Sequence, residues 1–320
     1  MLALIRTVWS ILGLLLTIAP ALAQPYPSKP IRIIVPFGPG SASDITARRF
    51  AQFLQDQWKQ PVVVEDRPGA NGVIGTEALK NAAPDGYTLG IATNSTHAAA
   101  LYLFKKLPYN ATEDFEHIGL FGVIGTVALV PAASPFKSIP ELVAFAKANP
   151  GKMFFGYADT ASQVSAELLK ARAALPVEGV QYRGIADAMT DLVGGRIHFM
   201  FANYISSSGQ IRGGKLLPIA VTESQRSALW PEVPTVAETF PGYELHAFVG
   251  LAAPRGTPKE IVLKLNEAMR SAMAGPAFKD HLVTMGMRPK PLTPEDYRAF
   301  LTREAARWKE YVKTAKIEPQ

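Results

Sequence analysis

The sequence contains no cysteine, which excludes disulfide bonds, thiolate metal sites, a cysteine nucleophile and the acylated cysteine of a lipoprotein. Charged residues are only 19% of the 320 residues, and the excess of 33 Lys and Arg over 27 Asp and Glu is spread along the chain. Without a basic cluster, we expect no nucleic-acid partner. Apolar residues account for 48%, and 25 Gly and 26 Pro supply many turns, so this length predicts about two packed domains.

The N-terminus has the features of an export signal. Arg6 gives a basic start, residues 8–18 are almost wholly apolar, and Ala21-Leu22-Ala23 fits the small-x-small pattern of a cleavage site. We therefore predict a signal peptide over residues 1–23, cleaved after Ala23, and a periplasmic location for the rest of the chain. A retained membrane anchor is the alternative, but polar residues and a proline interrupt the apolar run that a bilayer span requires.

The remaining sequence alternates short apolar runs with segments of helical periodicity. Residues 31–35 predict a strand, and the apolar positions between Asp44 and Trp58 recur at spacings of three and four, which predicts a helix. Further strands are predicted at 62–64, 87–92, 127–130, 153–157, 177–182, 197–201, 216–221 and 243–252, and further helices at 74–82, 142–148, 162–174 and 187–193. This alternation is typical of α/β folds with largely parallel, helix-covered sheets.

Two helices are predicted to close the chain, each beginning at a Thr-Pro pair, Thr257-Pro258 and Thr293-Pro294. The last one carries its large apolar residues along one face, and its other face has mixed charge. We interpret the apolar face as core packing and not as a membrane-binding surface. Its members are Tyr297, Phe300, Leu301, Trp308 and Val312.

The loop after the first predicted strand is suited to holding an anion. It runs from Pro36 to Asp44 and includes Phe37, Gly40, Ser41 and Ala42. Small residues at the start of a helix let backbone N–H groups approach a negative charge closely. An ordinary strand-to-helix turn is the alternative. The loop also resembles a dinucleotide-binding fingerprint, but the third glycine is missing and a proline removes one amide from the turn.

A second loop, Thr93 to His97, concentrates hydrogen-bonding side chains, among them Ser95, Thr96 and His97. A carboxylate accepting bonds from such groups gains about 1.5–3 kcal/mol from each charge-assisted bond. A hydroxyl-rich helix start without a ligand is the alternative.

Catalytic motifs are absent from the sequence. No His-Glu-x-x-His spacing, no Gly-x-Ser-x-Gly elbow and no phosphate-binding loop occurs, so we predict no metal and no cofactor. His198 lies inside an apolar run, which indicates a half-buried, hydrogen-bonded residue. A Ser-His-Asp triad assembled from separate loops stays open, because spacing does not define such triads.

Between Tyr26 and Ala315 the chain resembles the periplasmic solute receptors of tripartite tricarboxylate transporters, the Bug-type binding proteins. Seven segments carry the resemblance in order. They are Tyr26-Pro27-Ser28-Lys29-Pro30-Ile31, Pro36-Phe37-x-Pro39-Gly40 with Asp44 and Ala47-Arg48, Val64-Glu65-x-Arg67-Pro68-Gly69-Ala70, Ala83-Pro84-Asp85-Gly86-Tyr87-Thr88-Leu89, Asp191-Leu192-Val193-Gly194-Gly195, Val233-Pro234-Thr235-Val236-Ala237-Glu238 and Ala253-Pro254-x-Gly256-Thr257-Pro258.

The resemblance implies an α/β fold of the two-lobed type II periplasmic binding protein (Venus flytrap) kind, each lobe a mostly parallel sheet flanked by helices. We predict one lobe from residues 24–126 plus 245–320 and the other from residues 127–244. The implied protein is a monomer that does no chemistry, holds a small organic carboxylate between the lobes and delivers it to membrane permease subunits. A ligand-sensing partner of a membrane sensor kinase, and a periplasmic hydrolase, are the alternatives.

The resemblance also implies the ligand-binding residues. The loop after the first strand (Phe37, Gly40, Ser41, Ala42) and residues 157–163 would grip one carboxylate, and Ser95 to His97 would hold the rest of the ligand. In the second of these segments the residues are Tyr157, Thr160, Ser162 and Gln163, and Tyr182, Ala202, Asn203 and Phe248 complete the predicted site.

Two departures from the family pattern bear on the ligand. Tyr157-Ala158-Asp159-Thr160 stands where the family has Gly-x-Gly-Thr, which brings an aromatic ring and a carboxylate to this segment. Ala202 stands where many members have an acidic residue that can pair with an amine. We therefore hypothesise a carboxylate without an amino group, with aromatic and dicarboxylic acids both compatible.

Overall fold

The computed structural model describes residues 25–319. The predicted signal peptide lies outside these residues. In the part of the chain that is described, no helix combines the length and the apolar character that a membrane crossing requires.

Within residues 25–319, eleven strands form two sheets. In chain order they are β1 (Ile31–Val35), β2 (Val62–Asp66), β3 (Thr88–Thr93), β4 (Phe115–Gly125), β5 (Val127–Pro131), β6 (Met153–Tyr157), β7 (Val177–Gln181), β8 (Phe199–Ala202), β9 (Leu216–Val221), β10 (His246–Pro254) and β11 (Met287–Pro289). One sheet has the order β11-β4-β10-β3-β1-β2 and the other the order β7-β6-β8-β5-β9.

Helices cover both sheets. In chain order they are α1 (Ala42–Trp58), α2 (Val73–Lys80), α3 (Asn94–His97), α4 (Ala100–Leu103), α5 (Ile139–Ala148), α6 (Thr160–Ala173), α7 (Ile185–Val193), α8 (Tyr204–Arg212), α9 (Val236–Thr239), α10 (Lys259–Ala274), α11 (Pro276–Thr284) and α12 (Pro294–Thr314), with a 3₁₀ turn at Ala70–Gly72. We call the six-stranded sheet with its helices lobe 1 and the five-stranded sheet with its helices lobe 2.

The predicted α/β two-lobed fold is confirmed, and the strands of each sheet run mostly in one direction. In lobe 1, β1 to β4 point one way, and β10 and β11 point the other. In lobe 2, β5 alone opposes the rest. The reversed strands β5 and β10 are those that enter a sheet directly after the chain has crossed from the other one.

The two crossing segments are hydrogen-bonded to each other. The first runs from β4 through Thr126 into β5, and the second leaves β9 at Thr222. The Thr126 amide donates to the Thr222 hydroxyl at 2.8 Å, and the Thr222 amide donates to the Thr126 carbonyl at 2.9 Å. This paired crossing has the geometry of a hinge. The division into residues 24–126 plus 245–320 and 127–244 stays a prediction.

Helix α12 packs its apolar face into the protein, as the sequence predicts: all five of the residues named for that face are buried. Trp308 of this helix belongs to a hydrophobic cluster that also contains Phe248 from lobe 1 and Phe155 and Phe201 from lobe 2. The C-terminal helix therefore contributes to a core that both lobes share.

Candidate functional site

A cavity of about 220 Å³ lies between the two sheets, where several strands end. Its wall is drawn from both lobes and from the hinge. The lining residues are Phe37, Ser41, Ala42, Ser43, Thr93, Asn94, Ser95, Ile124, Gly125, Thr126, Asp159, Ala161, Ala202, Asn203, Ala247, Phe248 and Val249. In open α/β sheets, the crevice at the carboxyl ends of the strands is the usual place for a ligand.

The longest helix that begins at the cavity is α1. Gly40 adopts a φ of +79°, which lets the chain turn from the loop into the helix, and its amide donates to the Asp44 carboxylate at 2.8 Å. The Ser41 hydroxyl caps the helix by accepting from the Asp44 amide at 3.2 Å. The amides of Ala42 and Ser43 have no acceptor among residues 25–319, so the positive end of α1 has free donors at the cavity.

Two helices of lobe 2 begin at the opposite wall. Asp159 caps α6 by accepting from the Ser162 amide at 2.7 Å, and Asn203 caps α8 by accepting from the Ser206 amide at 3.0 Å. These caps hold the first turns of both helices in place. The cavity is thus bordered by helix N-termini from both lobes, an arrangement that favours a negatively charged ligand.

Two polar side chains in the wall have no hydrogen-bond partner within residues 25–319. Ser43 is 5% exposed and Asn94 is 4% exposed, but the polar atoms of both side chains remain accessible. Both side chains therefore have bonding capacity that a small polar ligand could use.

Asp159 is the one charged residue in the wall, and the described chain places no Lys, Arg or His there. An anion in this cavity would be held by amides, hydroxyls and side-chain amides rather than by an ion pair. Such neutral donors are effective when water is excluded around them, because the low local dielectric strengthens each bond.

Direct contacts close the cleft between the lobes. The Asn71 side-chain amide donates to the Thr160 hydroxyl at 3.1 Å, which joins the 3₁₀ turn of lobe 1 to the start of α6. Tyr204 packs so tightly against Gly286 of lobe 1 that a Cβ atom there would lie 2.8 Å from the Tyr204 Cβ. Ile205 also packs on the core of lobe 1. The structure therefore shows the lobes closed on each other.

Seven of the predicted ligand-binding residues line the cavity together: Phe37, Ser41, Ala42, Ser95, Ala202, Asn203 and Phe248. The other eight, Gly40, Thr96, His97, Tyr157, Thr160, Ser162, Gln163 and Tyr182, lie outside the wall. Their role in binding stays a prediction, and the structure assigns several of them other contacts.

Thr96 and His97 are directed into the core of lobe 1. The Thr96 hydroxyl bonds to the Nδ1 atom of His97 at 2.9 Å, and the His97 ring packs against Phe115 and His117. His97 is 2% exposed, and burial together with the nearby His117 lowers its pKa well below the usual value. The His97 imidazole is therefore neutral and enclosed, away from the cavity.

In lobe 2, the predicted residues outside the wall mostly support the start of α6. The Ser162 hydroxyl donates to the Asp159 backbone carbonyl at 2.9 Å, and the backbone N–H of Gln163 donates to the same carbonyl at 3.0 Å. The Tyr182 hydroxyl donates to the Asp191 carboxylate at 2.9 Å, so its polar end is occupied away from the cavity.

The prediction missed part of the wall. Ser43, Asn94 and Asp159 lie in loops that the sequence analysis identified. Each stands at or directly before the first turn of a helix, and this position was the signal that could have identified them. Thr126 lies in the hinge between β4 and β5, whereas Ile124 and Gly125 end β4, and Ala247 and Val249 belong to the first half of β10. Apolar strand residues of this kind carry no local sign of a binding role.

A larger groove of about 540 Å³ lies between α10 and α12, with Glu116, His117, Lys259 and Arg298 among its lining residues. It is built from lobe 1 alone. Because closure of the two lobes would not enclose it, the smaller interlobe cavity is the better candidate for a receptor site.

Two helix-covered sheets, a paired crossing and a cavity between the lobes define the class of two-lobed binding proteins. Residues 46–317 match the model of the tripartite tricarboxylate transporter family receptor, TctC, and the chain belongs to this family of solute-binding receptors.

Relatives of known name and structure agree with this assignment. The chain is 35% identical to Protein BugT of Bordetella pertussis over 294 residues, which cover 91% of this chain and 90% of BugT. It is similar to the structure of R. palustris Rpa4515 with adipate, with a TM-score of 0.85, 30% identity and coverage of 92% and 100% of the two chains. It is also similar to MatC of Rhodopseudomonas palustris with bound malate, with a TM-score of 0.78, 30% identity and coverage of 90% and 100%.

Proposed function

We propose that this protein captures a small carboxylate in the interlobe cavity, in the periplasm, and releases it unchanged to the permease subunits of a tripartite tricarboxylate-type transporter. The observation that carries the proposal is the cavity wall itself. Free amides at the start of α1 and the unpartnered side chains of Ser43 and Asn94 converge there. Export by a signal peptide over residues 1–23 and a monomeric state are part of this proposal.

The shape of the cavity supports a short ligand. A volume of about 220 Å³ is smaller than the roughly 300 Å³ at which drug-sized pockets begin. Phe37 and Phe248 are the aromatic residues in the wall, whereas Tyr157 and Tyr182 lie outside it. We therefore favour an aliphatic acid over an aromatic one, since the rings of Tyr157 and Tyr182 do not line the cavity.

The ligands of two family structures support the same class. Rpa4515 is described with adipate and MatC with malate, which are aliphatic dicarboxylates. By analogy, acids of four to six carbons are the first compounds to test against this protein.

A thermal-shift screen of aliphatic and aromatic carboxylic acids tests the proposal, with isothermal titration calorimetry on the hits. A ligand that binds only the folded state at 100 times its Kd adds about 2.7 kcal/mol to the free energy of unfolding, so the melting temperature must rise. Recovery of the intact acid by NMR after incubation tests release without chemistry. Absence of any shift across the panel, or turnover of an ester by the purified protein, would contradict the proposal.

A further inference from the structure

One of the helix N-caps at the cavity is acidic, whereas the others are neutral. Ser41 caps α1, Thr93 caps α3 and Asn203 caps α8, but Asp159 caps α6. The bond from the Ser162 amide to the Asp159 Oδ1 atom, at 2.7 Å, holds this carboxylate at the start of the helix. A fixed negative charge therefore forms part of the lobe 2 wall.

This charge has no ion-pair partner. None of the salt bridges among residues 25–319 includes Asp159, and no cationic side chain of the described chain lines the cavity. The Asp159 Oδ2 atom also accepts no hydrogen bond within those residues. One oxygen of the carboxylate is thus available to a ligand.

The lobe 1 wall has the opposite character. There the free amides of Ala42 and Ser43 and the side chain of Asn94 supply neutral donors without any acidic group. A ligand carboxylate fits this side, and the other end of a short ligand then faces α6. The two ends of the cavity therefore differ in the groups they accept.

We propose that Asp159 is a specificity-determining residue, which selects carboxylates that carry a hydroxyl or ammonium donor at their other end and disfavours a second ionised carboxylate. This inference rests on the proposed function. A donor gains a charge-assisted bond to Asp159, whereas a second carboxylate meets a like charge at the same point of the wall. Asp159 thus places an acid at a different point of the wall from Ala202, and this proposal departs from the hypothesis of a ligand without an amino group, which stays a prediction.

Matched ligands and one conservative variant test the inference. Calorimetry would compare adipate, 6-hydroxyhexanoate and 6-aminohexanoate, and the four-carbon set of succinate, 4-hydroxybutanoate and 4-aminobutanoate. Asp159→Asn keeps the shape and the capping ability of the residue, since Asn and Asp cap helices about equally well. Asp56→Asn is the charge control, because Asp56 lies in the last turn of α1, roughly 20 Å along the helix from the cavity.

Because Asp159 is exposed and its charge is partly screened, we expect the wild type to bind the better donor-bearing acid of a set about two- to fivefold more tightly than the dicarboxylate. Asp159→Asn should weaken binding of the donor-bearing acid and strengthen binding of the dicarboxylate, while Asp56→Asn changes neither. If the wild type prefers the dicarboxylate, or Asp159→Asn leaves the ratio unchanged, the inference is wrong while the proposed function stands. If no carboxylate binds the wild type in either set or in the screen, the proposed function itself fails, and the inference with it.

Discussion

Replacing Asn71 by glycine should weaken ligand binding although Asn71 does not line the cavity. Its side-chain amide joins lobe 1 to the Thr160 hydroxyl of lobe 2 at 3.1 Å, so the bond exists only when the lobes are closed. Asn71 has a φ of +55°, a left-handed conformation that glycine adopts without cost. The substitution therefore removes the bond without adding backbone strain to the closed form.

The size of the effect follows from the net value of one hydrogen bond. Such a bond contributes about 0.5–1.5 kcal/mol, which corresponds to a factor of about 2 to 12 in the equilibrium between closed and open lobes. A ligand that binds only the closed form has an apparent Kd that rises as the closed fraction of the free protein falls. We therefore expect Kd to rise about 2- to 12-fold when closure limits binding.

A double-mutant cycle isolates this bond from other effects of the glycine substitution on closure. Calorimetry would measure Kd of the tightest acid from the screen for the wild type, Asn71→Gly, Thr160→Val and the double variant. The double variant should bind no more weakly than the weaker single variant, which gives a coupling of about 0.5–1.5 kcal/mol. Additive losses would refute the reasoning, since they would show that the two side chains do not act together in closure.

Three further predictions concern stability and binding. Trp308→Ala should lower the free energy of unfolding by about 3–5 kcal/mol in urea titrations, because it empties a fully buried site in the core that both lobes share. Burial, with Arg298 nearby, lowers the pKa of His117 from 6.5 to about 4, so the unfolded chain binds more protons between these values. The free energy of unfolding should therefore fall by up to about 3 kcal/mol as the pH drops through this window, and His117→Gln should reduce the loss between pH 7 and 4.5. Ser43→Ala should weaken carboxylate binding about 2- to 12-fold in calorimetry with an unchanged melting temperature of the free protein, and an unchanged Kd would show that its hydroxyl does not contact the ligand.

Regular patterns in the sequence predicted most of the elements. The apolar face of α12 was identified residue by residue, because a 3.6-residue period places Tyr297 and Trp308 on the same side of the helix. His198 was predicted as a half-buried, hydrogen-bonded residue, and its Nδ1 atom accepts from the Phe154 amide at 3.2 Å. The face of α12 and the partial burial of His198 follow from neighbours in the chain, so local sequence was enough to predict them, whereas the hydrogen-bond partner of His198 is 44 residues away.

Strand β4 was missed, although it lies between β11 and β10 in the lobe 1 sheet and leads into the hinge. Its residues Phe115–Gly125 are buried along almost the whole strand, so the alternation that identifies a half-buried strand is absent. Helix α8 was missed for a different reason: its run of polar residues has almost no apolar face, and only Ser207 of its nine residues is buried. Its place at the cavity depends on the Asn203 cap and on packing of Tyr204 and Ile205 against lobe 1.

The sequence by itself determined the α/β class, the family and the loop that begins α1, because periodicity, turn residues and ordered segments are all properties of nearby positions. The tertiary structure alone decided which side chains face the cavity. Thr160 forms a bond between the lobes, His97 is enclosed in the core, and Asp159 brings a charge to the wall. These roles depend on contacts between residues that are far apart in the chain: packing within lobe 1 encloses His97, and closure of the two lobes brings Thr160 and Asp159 to lobe 1.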